Sequence, residues 1–89
     1  MEEKEFEKVC QELKELYVRK DTKYGGSFHK QFQNFGINSA VMRLGDKYER
    51  IKILTAGNVN DCDDESIIDT LQDLANYAIL TLIELKRGE

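Results

Sequence analysis

The sequence predicts an all-α fold of three main helices plus a short helical segment, a bundle completed by oligomerisation. Proline is absent, and no run of strand length alternates apolar with polar residues. Apolar residues instead recur at helical spacing over long stretches. The chain, residues 1–89, is read as one domain, near the lower end of the size at which a single core sustains itself.

The first helix is expected over about Glu3 to Lys20. Phe6, Val9, Cys10, Leu13, Leu16 and Tyr17 fall on one stripe, acids crowd the first turn, and Arg19 and Lys20 close it in accord with the helix dipole. The adjacent glycines Gly25 and Gly26 break it. A short helical piece follows in which Phe28, Phe32 and Phe35 should cap the end of the core, with Gly36 ending it. Asn38 or Ser39 is a suitable N-cap for the next helix, which runs to about Ala56 with Gly57 as its stop. Its stripe is Ala40, Val41, Leu44, Tyr48, Ile51 and Leu54. A polar loop, Asn58 to Asp64, leads to a last helix for which Asp63 and Asp64 are candidate caps.

That last helix is apolar on more than one side. Ile67, Ile68, Leu71, Leu74, Ala75, Ala78, Leu82 and Leu85 form the main face, and Ile79, Leu80 and Ile83 widen it. A helix with so broad an apolar arc is buried on two sides, which so short a chain can hardly achieve alone. A homodimer or higher homo-oligomer is therefore expected, unless the short aromatic segment covers the second side.

The formal net charge of −4 argues against general nucleic-acid binding through a basic surface, although a local cluster of cations can still hold one small anion. No apolar run approaches the ~20 residues that span a bilayer, and the acidic N-terminus lacks a signal peptide's apolar segment. A cytoplasmic protein without membrane partners is the expectation. Cys10 reads as a small buried hydrophobe and Cys62 as a loop residue. With no CxxC pair and a single histidine, His29, read as a packing residue, the chain offers no zinc set.

Chemistry concentrates in three places. Asp69, Asp73 and Asn76 stand at i, i+4 and i+7 on the last helix, beside Leu71, Leu74, Ala75 and Ala78. Asp46 and Glu49 form a second acidic pair at i, i+3 on the middle helix, flanked by Arg43, Lys47 and Arg50. Facing each other, Asp46, Glu49, Asp69 and Asp73 would hold Mg²⁺ while the cations meet phosphates. Solvated acidic faces and ordinary salt bridges are the plain alternatives. The third place is Lys20, Lys23, Tyr24, Gly25, Gly26, Ser27 and Phe28. Backbone N–H groups of a glycine turn can cradle phosphate there, lysine can neutralise it and an aromatic ring can stack on a base. It is no Walker motif, and two glycines also suffice merely to make a turn.

These segments, Lys23 to Phe28, Arg43 to Arg50, Asp64 to Ser66 and Asp69 to Ala78, occur in an order that resembles nucleotide-modification-associated domain 1, a phage and bacterial family of unknown function. That family in turn looks like a member of the MazG and dUTPase-type all-α nucleotide pyrophosphohydrolases. The resemblance implies Mg²⁺-dependent hydrolysis of nucleoside triphosphates in dimers or tetramers, with ligands from an ExxE motif and an ExxD motif. By analogy Asp46 and Glu49 take the ExxE positions and Asp73 the final aspartate, with Tyr77 four residues later. Glu49 and Asp73 would then be the catalytic carboxylates. Two departures stand out: the first acid is aspartate, and Thr70 occupies the ExxD glutamate position. Asp69 must substitute from one residue earlier, rotated by about 100°.

Two functions follow. One is an Mg²⁺-dependent nucleotide pyrophosphohydrolase of the host cytoplasm, with Arg43, Lys47, Arg50 and Lys23 on phosphates and Asn76 and Tyr24 on sugar or base. The other is a non-catalytic binder that sequesters a nucleotide, linear or cyclic, such as a defence signal. A pure helical assembly module is a third reading.

Overall fold

The computed structural model describes residues 2–24, 26–56 and 64–88, with the side chains of residues 22–24, 64 and 65 outside that description. Among the described residues there are four helices and no strand: α1 (Glu2–Tyr24), α2 (Ser27–Phe35), α3 (Ile37–Ala56) and α4 (Asp64–Arg87). The all-α class and the short helix between long ones agree with the sequence expectation. Gly57, Cys62 and Asp63, expected as helix stop, loop residue and cap, lie outside the described residues.

α1 continues past Lys20 to Tyr24, because no helix breaker intervenes before the glycine pair. Gly26 and Gly36, at φ +74° and +70°, take left-handed backbone at either end of α2, where a side chain would be strained. Gly36 closes α2 through its N–H, 2.8 Å from the Phe32 carbonyl. α3 starts at Ile37 rather than after Asn38 or Ser39. Ser39 works inside the first turn instead, donating its N–H (3.1 Å) and its hydroxyl (2.8 Å) to the Gly36 carbonyl.

α3 packs along α4, α2 sits against both, and α1 reaches α4 through its second half. Leu13, Phe28 and Ala40 are the buried apolar residues among those described. The α1 stripe is only partly used. Leu13 is buried and Leu16 and Tyr17 are half-buried, whereas Phe6 is 72% exposed and Val9 and Cys10 lie open. Cys10 is thus not the buried hydrophobe its spacing suggested, since no described helix covers the first half of α1. Likewise Phe28 alone of the three α2 aromatics is buried, and Phe35 is exposed. A Cα radius of gyration of 14.6 Å, against about 12 Å for a compact domain of this length, reports the same open packing.

On α4 the expected inside and outside are largely exchanged. The buried residues are Thr70, Thr81 and Glu84, with Asp73 and Tyr77 half-buried on the same stripe. Both threonine hydroxyls are satisfied by donating to carbonyls one turn back, Thr70 to Ser66 and Thr81 to Tyr77, each at 2.7 Å. Meanwhile Ile68, Leu71, Ile79, Leu82, Ile83 and Leu85 are exposed. Ile67, Leu74 and Ala75 are half-buried and Ala78 is exposed. No helix among the described residues is long and apolar enough to cross a membrane.

Candidate functional site

The polar stripe of α4 faces α1 and α3, and the charge it carries gathers cations around it. Asp73 lies at the centre. Lys20 of α1 donates to its Oδ1 at 2.9 Å and Lys47 of α3 approaches its Oδ2 at 3.2 Å, so one carboxylate ties three helices together. Burial pushes the Asp73 carboxyl up, but the hydrogen bonds and charges of Lys20 and Lys47 outweigh it and hold it below the ordinary carboxylate value. Arg19, Lys20, Lys47 and Arg50 line an open groove of about 670 Å³ around this pair of bridges, with Asp69, Thr70 and Gln72 on its α4 side. Each ammonium has three donors. The bond to Asp73 uses part of that capacity and fixes two cations within reach of one carboxylate. The arrangement suits a small anion with several acceptor oxygens.

One turn further along α4 the wall becomes aromatic. Tyr77 stacks on Phe28 of α2, with ring centroids 5.9 Å apart and planes at 15°. The Arg43 guanidinium sits 5.4 Å from the Phe28 centroid and 5.5 Å from that of Tyr77 and also donates to the Gln31 side chain. These groups border a cavity of about 290 Å³ that also meets Tyr17, His29, Glu84 and Arg87. Glu84 is nearly closed off from solvent, its side chain 7% exposed. His29 Nδ1 contacts both its oxygens, at 3.0 Å from Oε2, and Arg87 donates to Oε1 at 3.2 Å. The Tyr17 hydroxyl is held above its ordinary pKa, first by burial and then by the neighbouring Asp21 carboxylate. A small hollow of about 10 Å³ between them, the neck, shares Lys20 and Asp73 with the groove and Tyr17, Tyr77 and Leu80 with the cavity.

The residues singled out by sequence are therefore divided. Lys20, Lys47, Arg50, Asp69 and Asp73 share the groove. Phe28 walls the cavity, and Ser27 opens α2 beside it. Asn76 lines the neck but spends its amide on the fold, donating to the Leu13 carbonyl at 3.2 Å. The expected rail of Arg43, Lys47 and Arg50 splits: Arg43 turns to the aromatic rings and the other two to the groove. Lys23 and Tyr24 have side chains outside the described set, as does Gly25 altogether.

The four carboxylates expected to hold Mg²⁺ do not form one cluster. Asp46 faces a different hollow, beside Phe35, Asn38 and Met42. Glu49 is exposed and pairs with Lys52 one turn on, at 3.4 Å. Only Asp69 and Asp73 share a site. The physical reason is angular: α3 turns Lys47 toward α4, which carries Asp46 and Glu49 off to other sides of the helix. Among the described residues no three acids, histidines or cysteines come together as a metal set.

Arg19, Tyr17, Glu84 and Arg87 escaped the sequence reading as site residues. Glu84 was within reach, because it continues the stripe of Asp73 and Tyr77 at i+11 and i+7. Arg19 read only as a cation closing the first helix, and Arg87 was not singled out.

Comparison with known proteins yields one family. The family model described as nucleotide modification associated domain 1 matches residues 20–85, which span the groove and the cavity almost entirely. No curated protein and no solved structure matches the chain.

Proposed function

The chain belongs to the nucleotide modification associated domain 1 family, and from that premise we propose that it is a nucleotide-binding protein that holds its ligand by charge and stacking without hydrolysing it. One observation carries this reading: Lys20 and Lys47 are already drawn together on Asp73 in a groove also lined by Arg19 and Arg50. Phosphate oxygens are met by the positive charge gathered in this groove, while the Phe28–Tyr77 wall offers an apolar, aromatic surface to a base. Asp73 acts as a positioning residue. It sets the spacing of the lysines and offsets their mutual repulsion before the anion arrives.

The experiment is calorimetry against a panel of linear and cyclic nucleotides, with and without EDTA, followed by chromatography of the recovered ligand. Binding that survives EDTA with intact ligand is expected, and Lys47→Met should weaken it about tenfold or more, the worth of one charge-assisted hydrogen bond. A panel in which nothing binds overturns the reading.

The second reading is an Mg²⁺-dependent pyrophosphohydrolase, in keeping with the resemblance to MazG-type enzymes. What favours it is that Asp69 and Asp73, one turn apart on α4, both line the cationic groove. Mg²⁺ needs few carboxylates when phosphate oxygens and waters complete its shell. Here Asp73→Asn abolishes turnover, whereas in the binder it leaves nucleotide affinity within a few-fold.

Either function is proposed to operate in a homo-oligomer. The exposed apolar face of α4, to which α1 adds exposed Phe6 and Val9, is more apolar surface than monomeric proteins usually leave to water.

A further inference from the structure

We propose that the cavity beside the Phe28–Tyr77 pair is a guanine pocket, with Glu84 reading the base edge; this rests on the nucleotide-binding reading above. Glu84 is the point that calls for explanation. A carboxylate is among the groups least often buried, and this one is 7% exposed on a helix whose other side is apolar. Its partners His29 and Arg87 do not share its burial: the His29 side chain is 44% exposed and that of Arg87 62%. Both sit toward solvent, so an incoming ligand can exchange with them while the carboxylate stays in place. A carboxylate offers acceptors only, about four lone-pair sites on two oxygens, and among the described residues Oε2 meets the His29 contact alone.

A base suited to that edge presents adjacent N–H donors. Guanine does so through N1–H and its 2-amino group. Adenine presents the bare N1 acceptor, which a carboxylate repels. The walls fit a flat aromatic guest, with Tyr17, Phe28 and Tyr77 around a cavity of about 290 Å³, close to the ~300 Å³ at which ligand sites begin. Distance sets the other end of the ligand. Glu84 lies eleven residues beyond Asp73 on α4, a rise of about 16 Å. A single phosphate does not bridge that span, whereas a chain of two or three reaches the Lys20–Lys47 pair while the base sits at Glu84.

The test is calorimetry on the full chain with GTP, ITP and ATP, ITP being the same nucleotide without the 2-amino group. GTP should bind about tenfold or more tightly than ITP, one hydrogen bond to a charged acceptor, with ATP weaker still. Glu84→Gln, checked for folding by circular dichroism, should bring the GTP-to-ITP ratio close to one. Equal binding of GTP and ITP to the wild-type chain overturns the pocket assignment and leaves the nucleotide-binding reading standing. Failure of all three to bind likewise overturns the pocket assignment, while the nucleotide-binding reading falls only if the full panel of linear and cyclic nucleotides also fails to bind. The wild-type comparison decides the matter even if the variant does not fold.

Discussion

The two long faces of α4 contrast in a way that inverts the usual rule. The face against α1, α2 and α3 carries Thr70, Asp73, Tyr77, Thr81 and Glu84, with Thr70, Asp73, Thr81 and Glu84 all hydrogen-bonded or ion-paired. The opposite face carries Ile68, Leu71, Ile79, Leu82 and Leu85 and is exposed. Burying hydroxyls and carboxylates costs free energy unless every one is paired, and exposing leucine forfeits roughly 1.5–3 kcal/mol per side chain. A single chain has little reason to accept both. The contrast teaches that the inward seam is built from paired polar groups, and that the outward face is the surface on which the proposed homo-oligomer would recover apolar burial.

The comparison breaks first at the outward face. Leu71→Arg with Leu82→Arg, placing cations on that face, should convert the proposed homo-oligomer to monomer, read as a drop in mass by sedimentation equilibrium. If wild type already sediments as a monomer, the account of the α4 exterior is lost.

The inward seam is sharpened by pH. The Asp73 carboxyl is held below its unfolded value by its two lysines, so its contribution is present above the ordinary carboxylate pKa and lost as pH falls through the folded value. Thermal stability of the wild type should therefore decline on acidification below about pH 4. The Asp73→Asn variant should be less stable near neutrality and show a shallower decline. Parallel curves for the two proteins would remove Asp73 from the seam's energetics.

The smallest effect lies away from both faces. Gly45 sits inside α3 with open space where a Cβ would go. Gly45→Ala should stabilise by roughly 0.5–1 kcal/mol with affinity unchanged, measured by denaturant unfolding. A loss of ligand binding would mean that a guest approaches the α3 backbone there.

Helix number, order and breaks were legible in the sequence because they arise locally. Gly26 and Gly36 permit backbone that other residues resist, and the apolar periods name helices wherever these lie in space. The grouping of Lys20, Lys47 and Asp73 was only half legible. Asp73 and Lys47 stood out as members of charged runs, yet nothing in the runs said that Arg43 would leave for the rings of Phe28 and Tyr77 or that Asp46 and Glu49 would turn away. Glu84 and His29 are separated by 55 positions and meet only through the fold.

The amino-acid sequence by itself thus determined how many helices form, in what order, and which side of each is apolar, since these depend on neighbours within a turn or two. Only the tertiary structure decided which side faces inward and which charges meet. That choice depends on the rotation of α3 and α4 about their own axes, and a rotation of one residue, about 100°, exchanges one set of partners for another.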